Sequence, residues 1–370
     1  MVDRKAGFFF RKFVTWIFRR RDPEVIIIKA ALVPLGAVVF GLVSRFSLLT
    51  EHFHLEMDLG DLDLIGKVVV IGLLFVILVC ICLAWRRFSR TQDRLDKKRV
   101  FVIEGRGLRD DDGKSLSKIA RAIAPGFQIP MLLDLRQKID ETIVVPEKIL
   151  PRIFAMRQSL NQQKAGNGID NSKVVYGGLT SVPFTVMTGI ELDDEGKVEV
   201  VDWDRAAENW RRLDDEDDGK SFNVSGMGAI VSAKRVVMAI SVSYPITDED
   251  IETTFNMPVI RLSLEGASSD AHWSKDKQSR LAVDFFEIAK TLKGKGVKEI
   301  HLVLASPNSM SFNIGRRYDR RNLPDLFIYQ YERLGQVKYP WCVKVPTIGQ
   351  TPSIKYTNTK SDGFADSKTS

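Results

Sequence analysis

Cysteine and histidine are scarce in this chain, at three and four residues of 370. Cys80 and Cys82 fall inside an apolar run and Cys342 in an expected strand, so no disulfide scaffold is indicated. His52 and His54 share a short loop while His272 and His301 stand apart, which leaves no metal-ligand spacing. No Ser/His/Asp order in a Gly-rich elbow is present either, which argues against a serine hydrolase. A Walker-type phosphate loop is nearly formed at Gly113-Lys114-Ser115, but Leu108 stands where glycine is required. Asp110, Asp111 and Asp112 would also aim negative charge into the phosphate nest. The acidic run from Asp214 to Gly219 lacks the alternating ligands of a calcium loop and reads as a solvated loop.

What the chain does have is charge and two long apolar runs. Lys+Arg number 54 against 47 Asp+Glu, for a net charge of +7. The basic residues crowd the first hundred positions beside the apolar runs, a membrane-anchor pattern rather than a DNA- or RNA-binding one. Residues 1–22 alternate aromatic, aliphatic and basic residues at helical spacing, as in RKAGFFFRKFVTWIFRRR, and predict an amphipathic surface helix. The alternative is an irregular basic tail. Membrane spans are expected at residues 25–43 and 64–85, within a hairpin region of 23–98. Lys29 and Lys67 lie near span ends, where their stems can snorkel. Arg19–Arg21 before the first span and seven basic residues between Arg86 and Arg99 after the second flank an acidic loop holding Glu51, Glu56, Asp58, Asp61 and Asp63. The positive-inside rule then places both termini in the cytoplasm.

From Arg99 the apolar runs become short and β-branched. Val100–Ile103 predicts a strand, with a loop holding Arg106 and a helix from about Ser115. Strands are expected at 129–135, 143–145, 173–176, 185–191 and 198–202, with a helix over 146–163 and loops at Gly177-Gly178 and 192–198. From Lys234 strands and helices alternate cleanly: strands at 236–242, 259–264 and 298–304, an amphipathic helix at 276–292, then β-rich runs at 326–331 and 341–345. That order predicts an open, mostly parallel Rossmann-like α/β sheet. Ligands of such sheets bind beyond the strands' carboxyl ends, which here are Ser243–Tyr244, Ala267–Trp273 and Ser306–Ser309. Residues 348–370 turn to Ser, Thr, Lys, Asp and Gly and predict a disordered tail.

The strand ending in Ala305-Ser306-Pro307-Asn308-Ser309, the helix with Phe312 and Gly315-Arg316, the Tyr329-Gln330-Tyr331 run and Tyr339-Pro340-Trp341 together resemble the SAVED domain of CBASS anti-phage systems. The resemblance is strongest over residues 226–346 and with the two spans suggests the transmembrane-SAVED type. It implies two fused CARF-like Rossmann halves, at 99–225 and 226–347, behind a two-helix transmembrane hairpin in the inner membrane. It also implies a receptor-effector rather than an enzyme. A cognate nucleotidyltransferase makes a cyclic di- or trinucleotide, which binds the SAVED domain, drives oligomerisation and lets the clustered hairpins damage the membrane. A membrane-anchored hydrolase and a ring nuclease remain as alternatives. Candidate ligand residues are Arg106, Ser243, Tyr244, Trp273, Ser306, Ser309, Phe312 and Arg316, with no catalytic, metal or cofactor residue expected. Four of them have an ordinary reading beside the functional one: helix capping for Ser306 and Ser309, core packing for Phe312, and carbonyl bonding for Arg316.

Overall fold

The computed structural model describes residues 72, 75, 78–79, 81–91, 98–107, 115–139, 142–165, 172–230, 232–347 and 349–357. It divides into two compact units, Met1–Lys97 and Lys98–Ser370. In the first unit residues 81–91 are helical, and Phe75, Leu78 and Leu83 expose their side chains. No helix of the described residues is long and apolar enough to cross a membrane. The basic segment 1–22, the span expected at 25–43 and most of that at 64–85 lie outside the described residues.

The second unit carries two sheets of the same design. In the first, β1 (Arg99–Arg106) lies between β2 (Phe127–Asp134) and β5 (Ser172–Leu179). β6 (Val198–Asp204) continues it in parallel and β7 (Asn209–Arg212) closes it antiparallel, with a small hairpin of β3 (Lys138–Ile139) and β4 (Thr142–Ile143) outside it. In the second, β9 (Arg235–Ser241) lies between β10 (Val259–Leu264) and β11 (Glu299–Ala305), followed by parallel β12 (Asp325–Gln330) and antiparallel β13 (Trp341–Val345). The order β2-β1-β5-β6-β7 is thus repeated as β10-β9-β11-β12-β13. The second sheet gains an edge strand on each side. β8 (Phe222–Ser225) pairs with β10, and β14 (Ser353–Tyr356) pairs with β13. The tail expected to be unstructured from 348 therefore contributes a strand, because Ile354 is buried against the sheet.

Among the described residues of this unit, six α-helices accompany the strands: α1 (Leu116–Ile123), α2 (Pro146–Ala165), α3 (Val182–Glu191), α4 (Asp248–Glu252), α5 (Lys275–Gly294) and α6 (Asn308–Arg317). Start signals are local. Ser115, Thr247 and Ser274 accept hydrogen bonds from first-turn amides of α1, α4 and α5. Two sequence expectations fail at β5 and α3. Residues 185–191 form a helix, not a strand, and Gly177-Gly178 lie inside β5, not in a loop. α3 is buried from Pro183 to Ile190 on every side, so it shows no amphipathic period, and its β-branched residues mimic a strand. The 192–198 segment is consequently a helix-to-strand turn rather than a hairpin. Gly177 is needed because a Cβ there would press on Trp210, Val201 and Leu116 at 2.9–3.0 Å.

α3 and α6 join the halves through a reciprocal contact. A Cβ on Gly189 would collide with the Phe312 carbonyl oxygen, and one on Gly315 with the Val186 carbonyl oxygen. Thr180, Thr185, Val186 and Gly189 correspond to Ser306, Ser311, Phe312 and Gly315, each pair at the same offset of 126 positions. The hydroxyl bond Thr180–Thr185 (2.6 Å) is matched by Ser306–Ser311 (2.7 Å). The two halves are therefore structural repeats related by a local pseudo-two-fold at this crossing. One apolar cluster runs through both, from Phe101 and Ile103 across α3 and α6 to Trp341 and Val343.

Candidate functional site

The α3 and α6 N-termini lie side by side, since the Thr180 N–H (3.2 Å) and the Thr185 hydroxyl (2.8 Å) both donate to Asn308 Oδ1. The parallel strands feeding them therefore end at one place. At this end Gly107 lies against Thr180, so closely that a Cβ would sit 2.8 Å from the Thr180 Cα. Across the crossing, the Val242 and Ser243 amides donate to the Ala305 carbonyl at 2.9 and 3.0 Å, which binds the end of β9 to that of β11. The site thus runs from Arg106-Gly107 through Thr180-Ser181 and Ser306–Asn308 to Ser243-Tyr244. It is lined by small hydroxyl side chains and backbone at two helix N-termini, a setting that favours anionic groups.

Four predicted residues sit in this place. Arg106 is at the end of β1, its guanidinium 2.8–2.9 Å from Glu104, whose second oxygen accepts the Leu116 amide at 3.0 Å. Ser243 is nearly buried and Tyr244 beside it is exposed by 56%. Ser306 is half-buried, with its hydroxyl shared with Ser311. Thr180, Ser181 and Asn308, absent from the predicted set, also belong to it. The buried Ser181 Oγ makes no hydrogen bond among the described residues, although Ser181 is the α3 N-cap.

The other four are placed differently. Phe312 is fully buried, stacked on Tyr176 at 3.8 Å with 12° between the rings, so it joins the halves and presents no face to a base. Burial also drives the Tyr176 phenol well above its ordinary pKa. Arg316 lies at the opposite end of α6, where it donates to the Leu192 (3.2 Å) and Glu195 carbonyls of the first half. Ser309 is buried, and its amide donates to Asp202 Oδ2 at 2.9 Å while its hydroxyl accepts from Gln278 at 2.9 Å. The protein's own carboxylate therefore occupies the anion position that a phosphate would take at Ser309. Trp273 is buried under the Arg211 guanidinium, 4.5 Å from its ring centroid. Beside it His272 lies 3.5 Å from Asp202, and burial chiefly holds its imidazole below the usual pKa. Among the described residues no group of three or more His, Cys, Asp or Glu is placed to hold a metal.

With two repeated Rossmann-like sheets and a polar, anion-friendly site where their strand ends meet, the fold is that of a ligand-sensing α/β domain. The family model described as "SMODS-associated and fused to various effectors sensor domain" matches residues 156–345, over half of the chain, and the chain belongs to this SAVED family. A second model, the SAVED-fused 2TM effector domain, matches residues 5–150 and places the chain with membrane-associated proteins of two transmembrane segments. Among solved structures, the Acinetobacter baumannii Cap4 SAVED/CARF-domain receptor with the cyclic trinucleotide 2'3'3'-cAAA is 14% identical, with a TM-score of 0.46 over 73% of this chain and 55% of that one. The same receptor with 3'3'3'-cAAA is 15% identical with a TM-score of 0.46, over 73% and 55%. The Moraxella osloensis Cap4 receptor is 14% identical with a TM-score of 0.43, over 73% and 53%. This chain spans about half the length of these receptors. No curated protein matched it.

Proposed function

We propose that this protein is a membrane-anchored receptor-effector that binds a cyclic di- or trinucleotide at the joined strand ends of its two SAVED halves. The observation that supports this most directly is the convergence of β1, β5, β9 and β11 ends, with both helix N-termini, on one site shared by the repeats. A ring of phosphates with approximate internal symmetry suits a site whose two walls are pseudo-two-fold related. In this reading a nucleotidyltransferase supplies the messenger after phage infection, as in CBASS defence. The bound form self-associates, and the gathered membrane hairpins compromise the inner membrane. Ligand favours assembly only to the extent that it binds the assembled state more tightly. Head-to-tail contacts would extend as filaments rather than close as dimers. The reading assigns no chemistry to the protein: it is not an enzyme and needs no cofactor.

The test is calorimetric titration of the full-length protein in nanodiscs against a panel of cyclic di- and trinucleotides, starting with cyclic triadenylates, followed by sizing and dye leakage from vesicles. Saturable binding of one member, with size growth and leakage, is expected. Binding by none of the panel removes the reading. Conversion of a labelled ligand to a linear product would replace it with a ring nuclease.

A further inference from the structure

The end of the α/β unit opposite the ligand site carries an unusual charge, and its location bears on orientation. Because α3 and α6 run with their N-termini together, their C-termini also meet, joined by Arg316 to the Leu192 carbonyl and by Arg320 3.9 Å from Glu191. The N-terminal ends of the parallel strands of both sheets therefore share this far end. Exposed on it are Arg121 in the last turn of α1, Lys197 before β6, Lys234 before β9 and Arg235 at its start. Lys293 in the last turn of α5, Lys295 and Lys298 between α5 and β11, Arg317 at the end of α6 and Arg321 after it are also exposed. The grouping is tight in the second half: the Lys298 amide donates to the Lys234 carbonyl at 2.8 Å, and the Asp325 amide to the Lys298 carbonyl at 2.9 Å.

Several acids at this end already have partners. Glu299 is 3.6 Å from His301, Asp325 3.6 Å from Lys344, and Glu195 is paired with Arg157 and Lys164. Near the start of β6, Asp193 and Asp194, the latter 3.9 Å from Arg157, remain exposed as a partial counterweight. The ligand-site end has the opposite bias around the second sheet, with Glu249 and Glu252 after β9 and Glu265 and Asp270 after β10 all exposed, and Asp248 exposed but paired with Arg261. The chain also enters this unit at the basic end. Lys98 precedes β1 and Arg99 begins it, the Phe127 amide donates to the Lys98 carbonyl at 2.8 Å, and the Arg99 guanidinium covers the half-exposed Phe127 ring at 4.6 Å.

We infer that this basic end is a docking surface for anionic phospholipid headgroups, so that the sensor stands on the inner leaflet with its ligand site turned away from the bilayer. The inference rests on the membrane-anchored reading above, and it adds a second, electrostatic attachment. A patch of lysines and arginines a short chain length from a membrane segment meets a surface of opposite charge, while the acidic rim of the other end is repelled by it. Docking of this kind fixes which faces of neighbouring copies can meet, since every copy on the leaflet shares one orientation.

The experiment uses the full-length protein with Cys80→Ser and Cys82→Ser, labelled with a donor dye at Thr291→Cys (basic end) or Asp270→Cys (site end). Each is reconstituted in vesicles of phosphatidylcholine alone or with phosphatidylglycerol, both carrying a headgroup acceptor dye. Energy transfer from position 291 is expected to exceed that from 270, to rise in the anionic vesicles, and to fall with added salt. Lys293→Glu with Lys295→Glu and Lys298→Glu should abolish the rise, since each lysine near such a surface changes the docked-to-undocked ratio roughly fivefold. Equal transfer in both vesicle types, or stronger transfer from 270, overturns the docking surface while leaving the anchor intact. Failure to co-float with either vesicle removes the anchor and the docking together. Salt-sensitive binding of a short duplex DNA in neutral vesicles, lost in the same triple variant, would assign the patch to nucleic acid instead.

Discussion

Substituting Gly189 by alanine tests whether the α3–α6 crossing holds the two halves together. In an isolated helix this change would stabilise by about 1 kcal/mol, because alanine is the better helix former. Here the new methyl would collide with the Phe312 carbonyl oxygen and lie 3.0 Å from the Arg316 amide nitrogen and 3.1 Å from the Gly315 Cα. All three are backbone atoms, so no side-chain rotation relieves the clash and the helices must part. Overpacking of this kind costs on the order of 1–3 kcal/mol, and more where rigid backbone must move. Parting the helices also lengthens the Asn308 bonds to Thr180 and Thr185, each worth about 1 kcal/mol. The net expectation is a loss of about 2–3 kcal/mol, a fall of roughly 5–10 °C in the near-UV melting transition of the α/β unit. By the pseudo-two-fold, Gly315→Ala should cost a similar amount, and the double variant less than the sum, because the first methyl already opens the shared contact. Gly294→Ala, whose added methyl meets nothing within 4 Å, serves as the control and should be neutral or slightly stabilising. An unchanged or raised melting temperature for Gly189→Ala would refute the close crossing.

Phe312→Ala should lower stability by about 3–5 kcal/mol by removing the ring stacked on Tyr176, and urea titration checks it. Loss of ligand binding in that variant would then reflect unfolding. Tyr244→Ala, exposed at the site, should leave urea stability within about 0.5 kcal/mol of wild type yet weaken nucleotide binding in calorimetry. His272 is held below its usual pKa by burial, so the fold favours the neutral ring and the unfolded chain binds more protons. Its contribution is complete above the unfolded value of about 6.5 and is lost as pH falls from there toward the folded value. The melting temperature should therefore drop on acidification through this window, and His272→Gln should flatten that part of the profile. His301, depressed by burial in the same direction, contributes with the same sign.

Much of the fold could be read from residue order alone. β10 and β13 matched their expected ranges, and β9, β11, β12 and α5 came within a few residues, because alternating buried strands and an amphipathic helix leave clear periods. α3 did not, because a helix buried on every side carries no period and Val182, Val186 and Ile190 suit a strand as well. The site was half legible. Ser243, Tyr244 and Ser306 follow from the rule that such sheets bind ligands at strand ends, and Arg106 from the tendency of a strand–glycine loop–helix turn to hold anions. Thr180 and Ser181 were missed because the segment after them read as a strand, which hid the helix N-terminus they precede. The 126-residue offset pairing Thr180, Thr185 and Gly189 with Ser306, Ser311 and Gly315 was the available signal.

The sequence by itself determined the class of the second unit and the separation of a basic, apolar first hundred residues from a β-branched remainder, since both depend only on local composition and period. Which candidate residues line the strand-end site and which are closed off was decided by tertiary structure. Ser306 and Ser309 stand three positions apart on one loop and helix start, yet Ser306 stays at the strand-end site while Ser309 is closed off by Asp202, a residue 107 positions away. Phe312 and Arg316 were equally beyond local reading, because their partners Tyr176, Leu192 and Glu195 come from the other half. A hydrogen bond or stacked ring across that distance leaves no mark on the period of either segment, so only the packing of α3 against α6 could assign those side chains to the core rather than to the site.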